Sequence, residues 1–297
     1  MDSKDILDQQ ARLAAKSRMG DFAWPTVVLG LMVTAGYVSV PLLFVSGHVS
    51  ALVAFSLLMV FTYAAYTVLH ESVHGSISGS HGSLRWVNEM MGYCAAWILM
   101  IPLTAHRHEH LAHHRNTNVP DSDPDHLVSD MTRSPFHALR AAVRILCSQY
   151  HYYVRERWSA APRSQNIRFC LEVAAIVLLR LALIGQGESM EVLVLLALGS
   201  LGGVMIVMYL FAYIVHKPHE TVGRYVDTST IAIPGAVGKC LTVLWGYQNY
   251  HSIHHLFPRV PFYRYRELFE EIEGIMVEKG APIYELRLPG LRPSSVF

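Results

Sequence analysis

Four long runs of apolar residues divide this sequence, with polar, histidine-rich segments between them. The first, Trp24 to Val45, is followed after a Ser46-Gly47-His48 break by a second, from about Val49 to Leu69. A third runs from Ile167 to Gly185 and a fourth from Met190 to Val215. All lie near the ~20 residues that a helix needs to cross a hydrocarbon core. The expected fold is an all-α integral membrane protein, a single domain over 1–297 with four transmembrane helices at 24–45, 49–69, 167–185 and 190–215. Within the third run Arg180 is expected to snorkel to the surface.

A fifth apolar stretch, 90–103, is too short to cross and reads as a re-entrant or interfacial segment. Parity agrees: a crossing there would put His106–His114 on the opposite side from His70 and His74. Residues 229–246 are interrupted by Pro234, Gly235, Gly238 and Lys239 and are not counted as a span. Residues 1–21 form a polar or amphipathic lead-in. Residues 136–158 read as a basic helix, lying on anionic lipid or docking an acidic partner. Arg264 to about Lys279 reads as a helix capping the polar domain.

Basic residues set the orientation. Residues 1–23 hold Lys4, Arg12, Lys16 and Arg18, and the segments 70–166 and 217–297 are also rich in Lys and Arg, whereas the loops at 46–48 and 186–189 have neither. By the positive-inside rule both termini and every histidine cluster lie on the cytoplasmic side, forming a helical cap.

Composition sharpens this. Of 297 residues 52% are hydrophobic and 16% charged, where a soluble domain carries about 25%. A net charge of +1 argues for no nucleic-acid partner. The four cysteines are scattered and form no C-x-x-C pair, which argues against a zinc ribbon, an iron–sulfur cluster and a disulfide framework. No secretory signal opens the chain.

The candidate chemistry is histidine. The second run continues into His70-Glu71-Ser72-Val73-His74, which puts His70 and His74 one turn apart on a helix. Residues 106–114 read H-R-H-E-H-L-A-H-H, with His110, His113 and His114 at i, i+3 and i+4. The same spacing returns at His251, His254 and His255. His216 emerges from the fourth run at the depth where His70 leaves the second, as a ligand or a helix cap. His106 and His108 fall outside the spacing and read as supporting or loop residues. Asp121, Asp123 and Asp125 either build a turn or orient ligand imidazoles.

Eight or nine imidazoles exceed the four protein ligands that one zinc takes, so two metals are implied. Metals at the edge of an apolar bundle face a lipid chain, which has no hydrolysable bond along its length. Oxidising an unactivated C–H bond needs a redox metal and O2, and iron is the expected choice. Two other readings compete. His70-Glu71-Ser72-Val73-His74 matches the H-E-x-x-H of zinc proteases, leaving the other clusters idle. A metal transporter needs ionisable residues inside the spans, which hold few beyond Glu172 and Arg180.

The three boxes, H70-E-S-V-H74, H110-L-A-H113-H114 and H251-S-I-H254-H255, with the trailing L-F-P-R-V-P, resemble the membrane-bound fatty acid desaturase superfamily, which includes hydroxylases and carotenoid hydroxylases. The resemblance implies a non-haem centre of two Fe ions cycling between Fe2+ and Fe3+. It implies O2 as co-substrate and a lipid or fatty acyl substrate, with desaturation ahead of hydroxylation of a carotenoid or alkyl chain. It also implies a separate electron donor of ferredoxin or cytochrome b5 type with its reductase. No fused electron-transfer module is visible in the sequence. The implied metal ligands are His70, His74, His110, His113, His114, His216, His251, His254 and His255. Acyl-CoA desaturases of the family carry a water-holding asparagine four residues before the histidine that His216 matches; here that residue is Ala212. His219 is the rival to His216.

Overall fold

In the computed structural model, residues 3–185, 189–287 and 290–293 are described; most of the loop expected at 186–189 falls outside them. The helices in chain order are α1 (Ser3–Lys16), α2 (Trp24–Val45), α3 (Ala51–His74), α4 (Arg85–Leu99), α5 (Leu103–Asn116), α6 (Pro135–Tyr152), α7 (Arg163–Ile184) and α8 (Ser189–Val207). A π-helical segment, Met208–Tyr213, joins α8 to α9 (Ile214–His216), and α10 (Gly235–Leu244), α11 (His251–Leu256) and α12 (Tyr265–Glu278) follow. The chain is mainly helical but not wholly so. Strands β1 (Thr230–Ala232), β2 (Ile283–Arg287) and β3 (Gly290–Pro293) form a sheet, parallel between β1 and β2 and antiparallel between β2 and β3. Strands of three to five residues carry too little alternation to register in the apolar pattern.

Three helical stretches, Trp24–Val45, Ala51–His74 and Met190–His216, are long and apolar enough to cross a membrane. The second and third pack closely because Gly199 and Gly203 on α8 let its backbone approach Leu58 and Thr62 on α3, where a Cβ would collide. A buried hydrogen bond from α2 to α8, Tyr37 Oη to Ser200 Oγ at 3.0 Å, ties the bundle further. The histidines lie at one end of this core.

Helix α7 is as long, but Arg168, Glu172 and Arg180 interrupt its apolar run. Two of these have specific partners. Helix α4 stops at Met100, which takes a left-handed conformation (φ 59°), and α5 restarts after Pro102. A helix break leaves carbonyls unpaired on one side and N–H groups on the other. Arg180 donates to the carbonyls of Trp97 (2.6 Å) and Ile98 (3.0 Å), with its guanidinium over the Trp97 ring. Glu172 accepts from the Thr104 N–H (2.9 Å) and hydroxyl (2.5 Å). Each charge also opposes the helix dipole it meets. The expected snorkelling of Arg180 is therefore corrected: it turns inward to cap α4. Arg180→Leu should lower stability by about 2 kcal/mol, the cost of buried carbonyls left unpaired, while Arg180→Lys, which keeps a donor, should lose less. Thermal unfolding in detergent reads the difference, and equal melting of the two variants would contradict the cap.

The polar side is built from α1, α11, α12 and the sheet. Helix α1 packs on α12, with Arg18 on Glu271 (2.5 Å) and Lys279 on Asp8 (3.1 Å). Tyr225 donates to the same Asp8 at 2.8 Å.

Candidate metal centre

Four helix ends meet where the apolar core gives way to polar chain. The last turn of α3 presents His70 and His74, with ring centroids 5.4 Å apart, before Gly75 (φ 71°) ends the helix. Helix α5 brings His110, His113 and His114, and α11 brings His251, His254 and His255. The π segment adds a residue to one turn before α9 delivers His216.

These nine histidines divide into two groups. His70, His74, His110, His114 and His254 bring one nitrogen each within 4.8 Å of one another, and His113, His216, His251 and His255 do the same. The division follows helix geometry. In each H-x-x-H-H box the final pair splits: His114 joins one group while its neighbour His113 joins the other, and His254 and His255 part likewise. His114 stands at the boundary, its ring stacked 4.4 Å from that of His255. His219 joins neither group. Its ring is 6.5 Å from His216 and lies against Tyr213 and His126.

The donor chemistry fits metal ions. The Nε2 atom of His110 lies 3.0 Å from that of His74 and 3.1 Å from that of His114, which is 2.9 Å from Nε2 of His254. A neutral imidazole nitrogen is either a donor or an acceptor. A row in which each inner nitrogen has two such neighbours cannot be satisfied by protons alone. Both ring nitrogens of His70 and of His216, and Nε2 of His255, are buried with no hydrogen-bond partner. Buried polar atoms left this way are rare and call for a ligand.

Four of the outer nitrogens are held. His113 Nδ1 donates to Asp123 Oδ1 at 2.7 Å, and His251 Nδ1 to Gln248 Oε1 at 2.7 Å. His254 Nδ1 lies 3.1 Å from the Tyr265 hydroxyl, which donates to Glu71 Oε1 at 3.5 Å. His255 Nδ1 lies 3.4 Å from the Thr117 hydroxyl. A proton fixed on Nδ1 leaves the Nε2 lone pair facing inward.

Burial holds His110, His114, His254 and His255 well below the ordinary histidine range and brings His251 down to about 3. His113 differs. Burial pulls it down, but Asp125 and Asp123 outweigh that and raise it. Burial pushes Asp125 up to about 6.

Asp123 serves both expected roles. It orients His113 and also accepts from the backbone N–H groups of Asn118 (2.8 Å) and Asp125 (2.9 Å), shaping the turn. Asp121 is exposed. His106 and His108 lie on α5 rather than in a loop: His106 is buried, with Nδ1 2.9 Å from Gln149 Oε1, and His108 faces outward onto Gln165. Glu71 meets Tyr265 rather than the open middle of the cluster, unlike the water-activating glutamate of a zinc protease. A cavity of about 50 Å³ adjoins His110, His113 and His251, and Tyr66, Phe211 and Ala212 are among its walls.

The sequence reading missed Gln248, Tyr265, Thr117 and Gln149. Gln248 carried a signal, since it lies one helical turn before His251. Tyr265 carried none, being 11 residues beyond His254.

A family model described as fatty acid desaturase matches residues 46–287. A relative named "Delta(9) fatty acid conjugase-like enzyme", from Dimorphotheca sinuata, is 24% identical over 258 residues, covering 73% of this chain and 67% of the relative.

Proposed function

The chain belongs to the fatty acid desaturase family, and on that footing we propose that it desaturates a fatty acyl chain in an O2-dependent reaction at two irons. It is an oxidoreductase acting on lipid. The observation that carries the finer reading is the division of nine histidines into a group of five and a group of four. One group would hold each iron: His70, His74, His110, His114 and His254 the first, and His113, His216, His251 and His255 the second. An iron pair in nitrogen-rich ligation supplies O2 activation for oxidising an unactivated C–H bond.

The chain's own residues do the rest. Asp123, Gln248, Tyr265 and Thr117 hold the outer ring nitrogens of His113, His251, His254 and His255, so these four ligands are oriented before substrate arrives. The small cavity beside His110 and His251, with Phe211 and Met208 among its walls, is where the reacting carbon would sit. The relative's name refers to a fatty acid, which supports an acyl substrate.

In this reading residues 1–297 act as one domain with four spans, α7 being the fourth, its Glu172 and Arg180 neutralised by the α4–α5 break. Arg85–Leu99 dips in and returns through α5 without crossing. Both termini and the histidines face the cytoplasm, where a separate ferredoxin or cytochrome b5 type donor delivers electrons. Purified protein should carry about two irons per chain, and a host expressing it under O2 should gain new double bonds in its acyl lipids. One zinc per chain would overturn the centre. Hydroxylated chains or carotenoids without new double bonds would overturn desaturation.

A further inference from the structure

A second and far larger cavity, about 850 Å³, lies between α2, α4 and α7. That volume is ample for a sizeable ligand. Thr34, Val38 and Leu42 form one wall at helical spacing, with Trp97 behind and Ala175 and Leu179 opposite. Leu171 and Leu179 on α7 line it yet are 64% and 53% exposed, so the cavity is a groove open sideways along α7. A two-chain lipid can lay one chain there while the other stays in the bilayer.

Two features distinguish this groove from an ordinary lipid-facing crevice. First, Ile101, in the break between α4 and α5, lines both the groove and the small cavity beside the histidines. It is the partition between them. Second, Arg168 sits at the end of the groove nearer the start of α7 and makes no ion pair among the described residues. Its neighbour Glu172, one turn on, also lines the groove and feels the Arg168 charge, but both its oxygens are engaged by Thr104. The groove thus offers a cation with no direct ion pair among the described residues at one end of a mainly apolar trough.

From Arg168 to Leu183 the α7 wall is roughly 22 Å long at 1.5 Å per residue, more than one leaflet's share of a ~30 Å hydrocarbon core. Ile101 follows Ile98, which Arg180 contacts, and precedes Thr104, which Glu172 contacts. The partition therefore falls roughly 6–18 Å along α7 from Arg168.

We propose that this groove takes one acyl chain of an acidic phospholipid directly from the bilayer, with Arg168 on the phosphate and Ile101 at the passage to the histidines. The inference rests on the lipid-oxidising reading above and names its substrate as an intact membrane lipid. It also places the reacting carbons in the interior of the chain, several carbons from the head group.

The test uses the full chain in phosphatidylcholine liposomes doped with phosphatidic acid carrying a diazirine midway along one acyl chain, with O2 and a ferredoxin or cytochrome b5 type donor and its reductase supplied wherever product is measured. Photolabelling should concentrate at Ala175, Leu179 and Ile101. Arg168→Gln should cut labelling by this probe at least tenfold, and cut labelling by a matching phosphatidylcholine probe, whose phosphate charge is offset by choline, by less. Ala175→Trp, which fills the groove, should cut both labelling and oxidised product at least tenfold with bound metal unchanged. Label spread evenly over the lipid-facing residues of α2 and α7 would overturn the proposal. So would labelling by a diazirine fatty acid but not by the phospholipid. Wild-type product levels from Ala175→Trp would remove the groove and leave the desaturase reading standing. Absence of product from wild-type protein with both metals bound would remove that reading instead.

Discussion

A His114→Ala variant is expected to lose lipid oxidation by more than ~100-fold, beyond the 10–100-fold typical of losing a residue that only supports a ligand. Its Nε2 is the middle member of the row joining His110 to His254, and its ring stacks on His255 of the other group. Removing it takes one of five nitrogens from the first group and one wall from the second. Bound metal should fall by about one ion per chain, read by elemental analysis of purified protein. His108→Ala is the matched control. His108 lies on the same helix but faces Gln165, so both metal content and turnover should stay near wild type. Full metal occupancy in His114→Ala would mean that the five-histidine group does not bind as proposed.

What the sequence disclosed follows the range of the interactions involved. The apolar runs at 24–45, 49–69 and 190–215 were legible because burial in a bilayer acts residue by residue along a helix. The i, i+3, i+4 boxes were legible because they lie within one turn. How the two H-x-x-H-H boxes divide between the two groups was not, since it depends on the angle at which α3, α5 and α11 meet. That His216 rather than His219 falls in one of the two groups was hidden for a local reason. Helix α9 ends at His216, and His219 then takes a left-handed conformation (φ 67°) that carries its ring aside. Glu172 and Arg180 looked like stray charges in an apolar run because their partners, Thr104 and Ile98, are 68 and 82 residues away. The two readings offered for Asp123 proved compatible: one oxygen accepts from both His113 and Asp125, and the other from Asn118.

That carboxylate gives the second large effect. Asp123→Asn keeps an oxygen able to accept from His113 Nδ1 but removes a buried charge next to it. Metal affinity of the group containing His113 should fall 10–100-fold. The pH dependence should change too, and its sign follows from His113. A metal needs the unprotonated Nε2, and His113 is the imidazole whose proton affinity Asp125 and Asp123 raise against the effect of burial. In the wild type a proton therefore competes with metal at His113 at higher pH than at an ordinary imidazole, and increasingly as pH falls through the histidine range. His110, His114 and His254 in the other group are held low by burial and stay unprotonated over that range. Acidification should thus weaken the His113 group first. Asp125, pushed up to about 6 by burial, loses its own charge only at the acid end of this window. In Asp123→Asn the proton on His113 is less favoured, so affinity should be lower throughout but fall less steeply with acid. Competitive metal titrations of wild type and variant across that range separate the two effects. A variant with reduced affinity and an unchanged pH slope would show that Asp123 acts through geometry alone, and that its charge does not tune the imidazole it holds.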